Sequence, residues 1–153
     1  METCVTKFLD EKGIEYKVLP HKVPVFTCED AARERGVVLN EMVKCMLIKD
    51  SKGSFTLALI QGDKKVNLGE LSKIVKSEVK LASSSDIENV LGYRMGAIPP
   101  LLLKTPVLII MDEDITRKEK VNISSGDPSA GLELKTKDML SVLANCRVHK
   151  ISA

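Results

Sequence analysis

Two apolar segments, residues 43–49 and 54–60, flank Asp50-Ser51-Lys52-Gly53, and this arrangement constrains the fold more than any other in the chain. A polar, glycine-ended tetrapeptide between two such runs predicts an antiparallel hairpin with a four-residue loop. On its N-terminal side, Val5, Phe8 and Leu9 have helical spacing that Gly13 stops, and residues 14–19 alternate as a strand up to Pro20. Thr27-Cys28-Glu29-Asp30 predicts a capped helix through Ala31, Ala32 and Arg35, closed by Gly36, with a short helix at 40–42. Beyond the hairpin, Leu68, Leu71, Ile74 and Val75 define an amphipathic helix and residues 79–82 a short strand. Ser83-Ser84-Ser85-Asp86 then caps a helix that runs to Gly92. Strands are predicted at 107–111, 120–124, 132–134 and 146–151, with a helix at 137–144. Helices placed irregularly between strands indicate α+β and exclude a doubly wound parallel sheet.

The chain of 153 residues fits a single domain, able to bury roughly 68–70% of its unfolded surface without metal or disulfide. Aromatic residues are 3% and Trp is absent, which excludes a groove that stacks many bases. Lys and Arg number 23 against 21 acidic residues, so a nucleic-acid partner would be held by local patches. Cys4, Cys28, Cys45 and Cys146 show no CxxC spacing, the N-terminus lacks signal-peptide regions, and no apolar run approaches a membrane span. These features predict a reduced, cytoplasmic protein with no membrane association.

Gly92-Tyr93-Arg94-Met95-Gly96-Ala97-Ile98-Pro99-Pro100 combines two glycines, a proline pair and mostly apolar side chains. It reads as a buried, rigid loop, either a tight crossover or the wall of a pocket. The Ser124 to Gly131 segment is a second unusual loop, rich in small residues and hydroxyls. Lys44 opens an otherwise apolar strand, where it either snorkels to water or serves a ligand. If Lys44 faces a site, strand alternation turns Cys45 away from it. His21 and His149 lie apart with no metal-ligand spacing, and no Gly-x-Ser-x-Gly occurs, so neither a metal site nor a serine triad is expected. A nucleophilic Cys28 or Cys45 would need a base that the sequence does not place beside it. Lys64, Lys65, Lys73, Lys76, Lys80, Arg117, Lys118 and Lys120 form small groups that suit either a solvated face or RNA phosphates around a pocket mouth.

Taken in order, Val43-Lys44-Cys45-Met46-Leu47-Ile48, Gly62-Asp63-Lys64-Lys65-Val66-Asn67, Gly92 to Pro100, and Ser125-Gly126-Asp127-Pro128-Ser129-Ala130-Gly131-Leu132-Glu133-Leu134 resemble the four signature segments of the YbaK family. These are aminoacyl-tRNA deacylases related to the editing insertion of bacterial prolyl-tRNA synthetases. The resemblance implies a compact α+β domain with a strongly curved, mixed, largely antiparallel sheet. It implies hydrolysis, in trans and without a cofactor, of the ester of a mischarged tRNA carrying Cys, Ala or a similar small amino acid, with tRNA-Pro as carrier. Partners would be the acceptor end of the aminoacyl-tRNA and an aminoacyl-tRNA synthetase. Lys44 matches the essential lysine and Gly96 the ester-facing glycine loop. Thr27, Met46, Ala97, Ile98, Pro99, Ser124, Ser125, Gly126 and Asp127 would contact substrate, and Lys64, Lys65 and Arg94 the RNA. Family members often carry two glycines where this chain has Gly96-Ala97; the Ala97 methyl would narrow the pocket or move the loop. The alternative is a non-catalytic module that binds a tRNA end or nucleotide and docks on a synthetase.

Overall fold

The computed structural model describes residues 2–153. The hairpin forms as read: β2 (Val43–Asp50) and β3 (Phe55–Gln61) pair antiparallel, Val43 opposite Gln61. β3 is apolar almost throughout because both its faces are covered, with Leu57 and Leu59 on one side and Ala58 and Ile60 on the other, all fully buried. On its outer edge it pairs in parallel with β5 (Leu108–Asp112), and β5 pairs in parallel with β8 (Cys146–His149). β4 (Val79–Leu81) joins the other side of β2, which completes a five-stranded mixed sheet in the order β4-β2-β3-β5-β8. A separate antiparallel sheet holds β1 (Lys17–Pro20), β7 (Ala130–Lys135) and β6 (Lys120–Ser124), in that order.

The α+β class is borne out, and so is the mixed, largely antiparallel pairing. The strands are divided between two sheets where one curved sheet was expected, and a bridge between Met42 and Asn122 links the two. β1 begins at Lys17, which pairs with Glu133 of β7, and not at Ile14.

Helix α1 (Cys4–Glu11) sends Val5 and Leu9 into the main core, beside Leu47, Leu57, Leu59, Met111, Ile123 and Leu132. Its N-cap Thr3 exchanges hydrogen bonds with Thr6 in a capping box. α3 (Leu68–Val75) covers the other face of the large sheet with Leu71. α2 (Cys28–Arg35) sits on a smaller cluster of Val25, Ala31, Ala32 and Met42. α4 (Ser84–Leu91) buries Ile87 and Leu91 behind the Ser83–Asp86 capping box. α5 (Thr136–Val142) buries Met139. The chain end is tied down by Asp112, whose fully buried carboxylate accepts the Ile151 and Ser152 N–H groups at 2.8 and 2.9 Å. Each such charge-assisted bond contributes about 1.5–3 kcal/mol.

Candidate active site

β4 pairs with β2 only from Ile48 to Asp50, and at its other end β2 meets β6 through the Met42–Asn122 bridge. Between these seams, among the described residues, no strand pairs with the edge of β2 that lies opposite β3. A cavity of about 370 Å³ opens there, a size that suits a small ligand. Residues Val43, Lys44, Cys45, Met46 and Leu47 form one side of it. Phe26, Thr27, Cys28, Ala31 and Arg35 line it from α2 and the segment before α2. Met95, Gly96 and Ile98 line it from the loop after α4, and Ser124 from the end of β6.

Alternation along β2 sends Met46 toward the core under α3, while Cys45 and Leu47 enter the main core. Lys44 and Cys45 both border the cavity, although alternation sends their side chains to opposite faces of β2. The cavity lies along an open strand edge, and an edge is bordered by both faces. Lys44 Nζ donates to the Lys64 carbonyl at 2.7 Å, which holds the ammonium in place without neutralising it. Burial pushes the Cys28 thiol up to about 11, against the opposing pull of Lys44 nearby, and pushes Cys45 higher still. Both are therefore neutral thiols at physiological pH, and the cavity holds no ready thiolate nucleophile.

Gly96 has φ +86°, and a Cβ there would lie 2.2 Å from the Phe26 carbonyl oxygen. The chain can close the cavity at this point only because residue 96 has no side chain. The loop is not buried throughout, as its sequence suggested. Arg94, Met95 and Gly96 are exposed, with Met95 at 53%, whereas Ala97, Ile98, Pro99 and Pro100 are buried. Ala97 is 2% exposed and does not line the cavity, so its methyl does not narrow it. Pro99 is likewise buried behind the wall.

Thr27 does line the cavity, and its hydroxyl oxygen accepts the Asp30 N–H as the cap of α2. Of the second loop only Ser124 reaches the cavity. Ser125 is buried and donates to the Ala130 carbonyl at 2.7 Å, and the Asp127 carboxylate accepts from the Ser129 N–H and hydroxyl. Gly126 lies against the Tyr93 ring, whose hydroxyl donates to the Leu102 carbonyl, so the two unusual loops brace one another. Lys64 supplies the carbonyl that holds Lys44, and Lys65 and Arg94 are exposed outside the lining. The structure gathers Lys44, Gly96, Thr27, Met46, Ile98 and Ser124 around one cavity, while Ala97, Pro99, Ser125, Gly126 and Asp127 lie behind or beside it. Among the lining residues that sequence reasoning did not assign to the site are Phe26, Cys28, Glu29, Arg35 and Cys45. Only Phe26 carried a signal, an apolar side chain directly before a helix cap.

The model of the aminoacyl-tRNA editing domain family matches residues 22–142, a stretch that contains every lining residue. The chain belongs to this family. The resemblance read from the four segments is thereby borne out. Proline–tRNA ligase of Xanthomonas campestris pv. campestris is 36% identical to this editing domain over 90 residues, which are 58% of this chain and 16% of that protein. The chain thus spans only a small part of the length of those curated relatives. The multifunctional Ser/Thr-tRNA deacylase ProXp-y of Escherichia coli K12 is 26% identical over 139 residues, covering 88% of this chain and 83% of that one. The crystal structure of a hypothetical protein superposes with a TM-score of 0.88 at 25% identity, covering 97% of this chain and 99% of the other. A protein proposed to be a trans-editing enzyme for prolyl-tRNA synthetase has the same fold, with a TM-score of 0.85 at 22% identity over 100% of this chain and 99% of the other.

Proposed function

We propose that this editing domain hydrolyses the ester of a mischarged aminoacyl-tRNA in trans, with Cys, Ala or a similar small amino acid on tRNA-Pro as the cargo. The observation that carries this reading is the convergence of Lys44 and Gly96 on one cavity in a chain of the editing family. An aminoacyl ester is already reactive, so a backbone N–H of the Gly96 turn and the Lys44 cation need only stabilise the developing oxyanion. Water attacks the ester carbonyl, the bond to the terminal ribose oxygen breaks, and a free amino acid and an intact tRNA leave. With a cysteinyl ester the substrate's own thiol can attack instead, the bond to the ribose oxygen breaking as the thiol proton passes to that oxygen, so that a cyclic thioester leaves and water opens it. Largely apolar lining from Phe26, Met46, Leu47, Ile87 and Ile98 would admit a small side chain and limit larger ones.

The non-catalytic alternative rested on Ala97, and a methyl packed behind the cavity wall does not support it. The acceptor end of the tRNA, a synthetase partner and a cytoplasmic setting follow from the same reading. Among the described residues no helix is long and apolar enough to cross a membrane. The test is a panel of tRNAs charged with Ala, Cys, Ser, Thr and Pro, assayed with the wild type and Lys44→Ala. At least one ester should be cleaved far faster than in buffer by the wild type alone. Buffer-rate cleavage across the panel, or full activity in Lys44→Ala, would overturn the reading.

A further inference from the structure

Arg35 lines the cavity from the last turn of α2. Its Nε donates to His21 Nε2 at 3.0 Å, and Nη1 points at Met42 Sδ at 3.6 Å. His21 Nδ1 lies 2.8 Å from the Pro128 carbonyl, which can only accept, so Nδ1 carries the proton and Nε2 is the bare nitrogen that receives Arg35. Burial lowers the His21 pKa below 6.5, which keeps this tautomer neutral at physiological pH. The guanidinium occupies the space of a missing side chain: a Cβ on Gly131 would lie 1.9 Å from Arg35 Cζ. The seat is therefore shaped on three sides by β7, His21 and Met42.

It lacks a counter-charge. Arg33 pairs with Asp30, Arg117 with Glu113 and Asp114, and Lys150 with Asp114, all cations more exposed than Arg35. Among the described residues no carboxylate lies within salt-bridge distance of Arg35, although burial already strains its charge and lowers its pKa to about 10. A desolvated cation without a partner is unfavourable in the empty protein and becomes favourable when a ligand supplies the negative charge. The cavity is also divided in character. At the Met42 end of β2 stand Arg35 and Lys44 with Thr27, Cys28 and the carboxylate of Glu29; at the Leu47 end stand Leu81, Ala82 and Ile87.

We propose that Arg35 receives the phosphodiester of the substrate's terminal nucleotide, with His21 as the residue that positions it. This rests on the reading that an RNA acceptor end enters the cavity. With Nε committed to His21 and one Nη1 hydrogen directed at Met42, the N–H groups left on the planar fork can reach two phosphate oxygens, a geometry that the single ammonium of Lys44 cannot reproduce. Lys44 and the Gly96 turn are left for the ester.

The experiment titrates the protein with adenosine 5′-monophosphate and with adenosine, followed by NMR, for the wild type, Arg35→Met and Arg35→Lys. The wild type should bind the nucleotide about tenfold tighter than the nucleoside or better. Arg35→Met should lose that preference, and Arg35→Lys should keep part of it. Arg35→Met also removes the donor to His21 Nε2, so the loss of preference is read in protein shown by its NMR spectrum to stay folded, with Arg35→Lys as the conservative rescue. In deacylation Arg35→Met should raise KM and leave kcat within about threefold. Equal binding of nucleotide and nucleoside by the wild type, a preference that survives Arg35→Met, or a fall in kcat at constant KM would each overturn the proposal. Failure of the underlying reading shows separately, as absence of deacylation by the wild type across the aminoacyl-tRNA panel.

Discussion

The two cations of the cavity are held in opposite ways. Lys44 is carried by β2, inside the five-stranded sheet, and a single backbone carbonyl 2.7 Å away holds its ammonium. Arg35 extends from a two-turn helix into a hollow made by His21, Met42 and the absent side chain of Gly131. The strand seat depends on local alternation and tolerates loss of the side chain it carries. The helix seat is assembled from three distant segments, so changes around it should reach Arg35 even when Arg35 itself is untouched. The comparison shows which residues of this site are replaceable for stability and which are not.

The largest effect should come from Lys44→Ala. Loss of a transition-state contact of this kind costs about 10²–10³-fold in kcat, equivalent to about 3–4 kcal/mol, while stability should change by no more than about 1 kcal/mol, the worth of one hydrogen bond. Single-turnover deacylation alongside a denaturant melt reads both, and a Lys44→Ala protein that is badly destabilised would erase the contrast between the two seats. Next in size, Gly96→Ala must place a methyl on the Phe26 carbonyl at positive φ, which should cost about 1–3 kcal/mol of stability and most of the activity. Ala97→Gly, one residue on, should alter stability by about 1 kcal/mol or less and leave the substrate range unchanged, because Ala97 is buried behind the wall. A substrate range widened by Ala97→Gly would return Ala97 to the pocket.

Gly131→Ala should push the guanidinium out of its seat at a cost of about 1–3 kcal/mol, with a weaker nucleotide interaction even though Arg35 is intact. An unaltered affinity would show that the helix seat is no more demanding than the strand seat. The smallest effect concerns pH. The folded protein holds His21 neutral below its ordinary pKa of 6.5, so between that value and the lower folded pKa the unfolded chain binds more protons. Stability should accordingly be full above about pH 6.5 and decline as the pH falls through this window. His21→Gln should flatten that part of the profile in urea melts at successive pH values. The opposite slope belongs to Cys28: its thiol is held up to about 11, so stability from this group is lost as the pH rises from about 9, and alkylation of Cys28 should stay slow at neutral pH.

Much of the fold was legible because its signals are short-range. Caps at Thr27 and Ser83 mark helix starts, and the polar tetrapeptide between two apolar runs marks the hairpin. The four ordered segments carried the family. Division of the strands into two sheets was not legible, since period-2 alternation states that a strand has two faces and says nothing of which strand lies beside it. For the same reason the loop of residues 124–131 looked like pocket wall: small residues and hydroxyls suit a ligand and suit internal turns equally, and Ser125 and Asp127 use their polar atoms on the loop itself.

By itself the sequence determined the order and type of the elements, the α+β class and the position of Lys44 on a core strand, all consequences of spacing within a few residues. Tertiary structure alone decided that β4 stops at Ile48 and leaves the β2 edge open, so that Cys45 borders the cavity beside Lys44. It also decided that Ala97 turns inward and that Gly131 makes room for Arg35. Each of these depends on close packing between segments far apart in the chain, where the absence of one methyl or one partner strand determines what occupies the space.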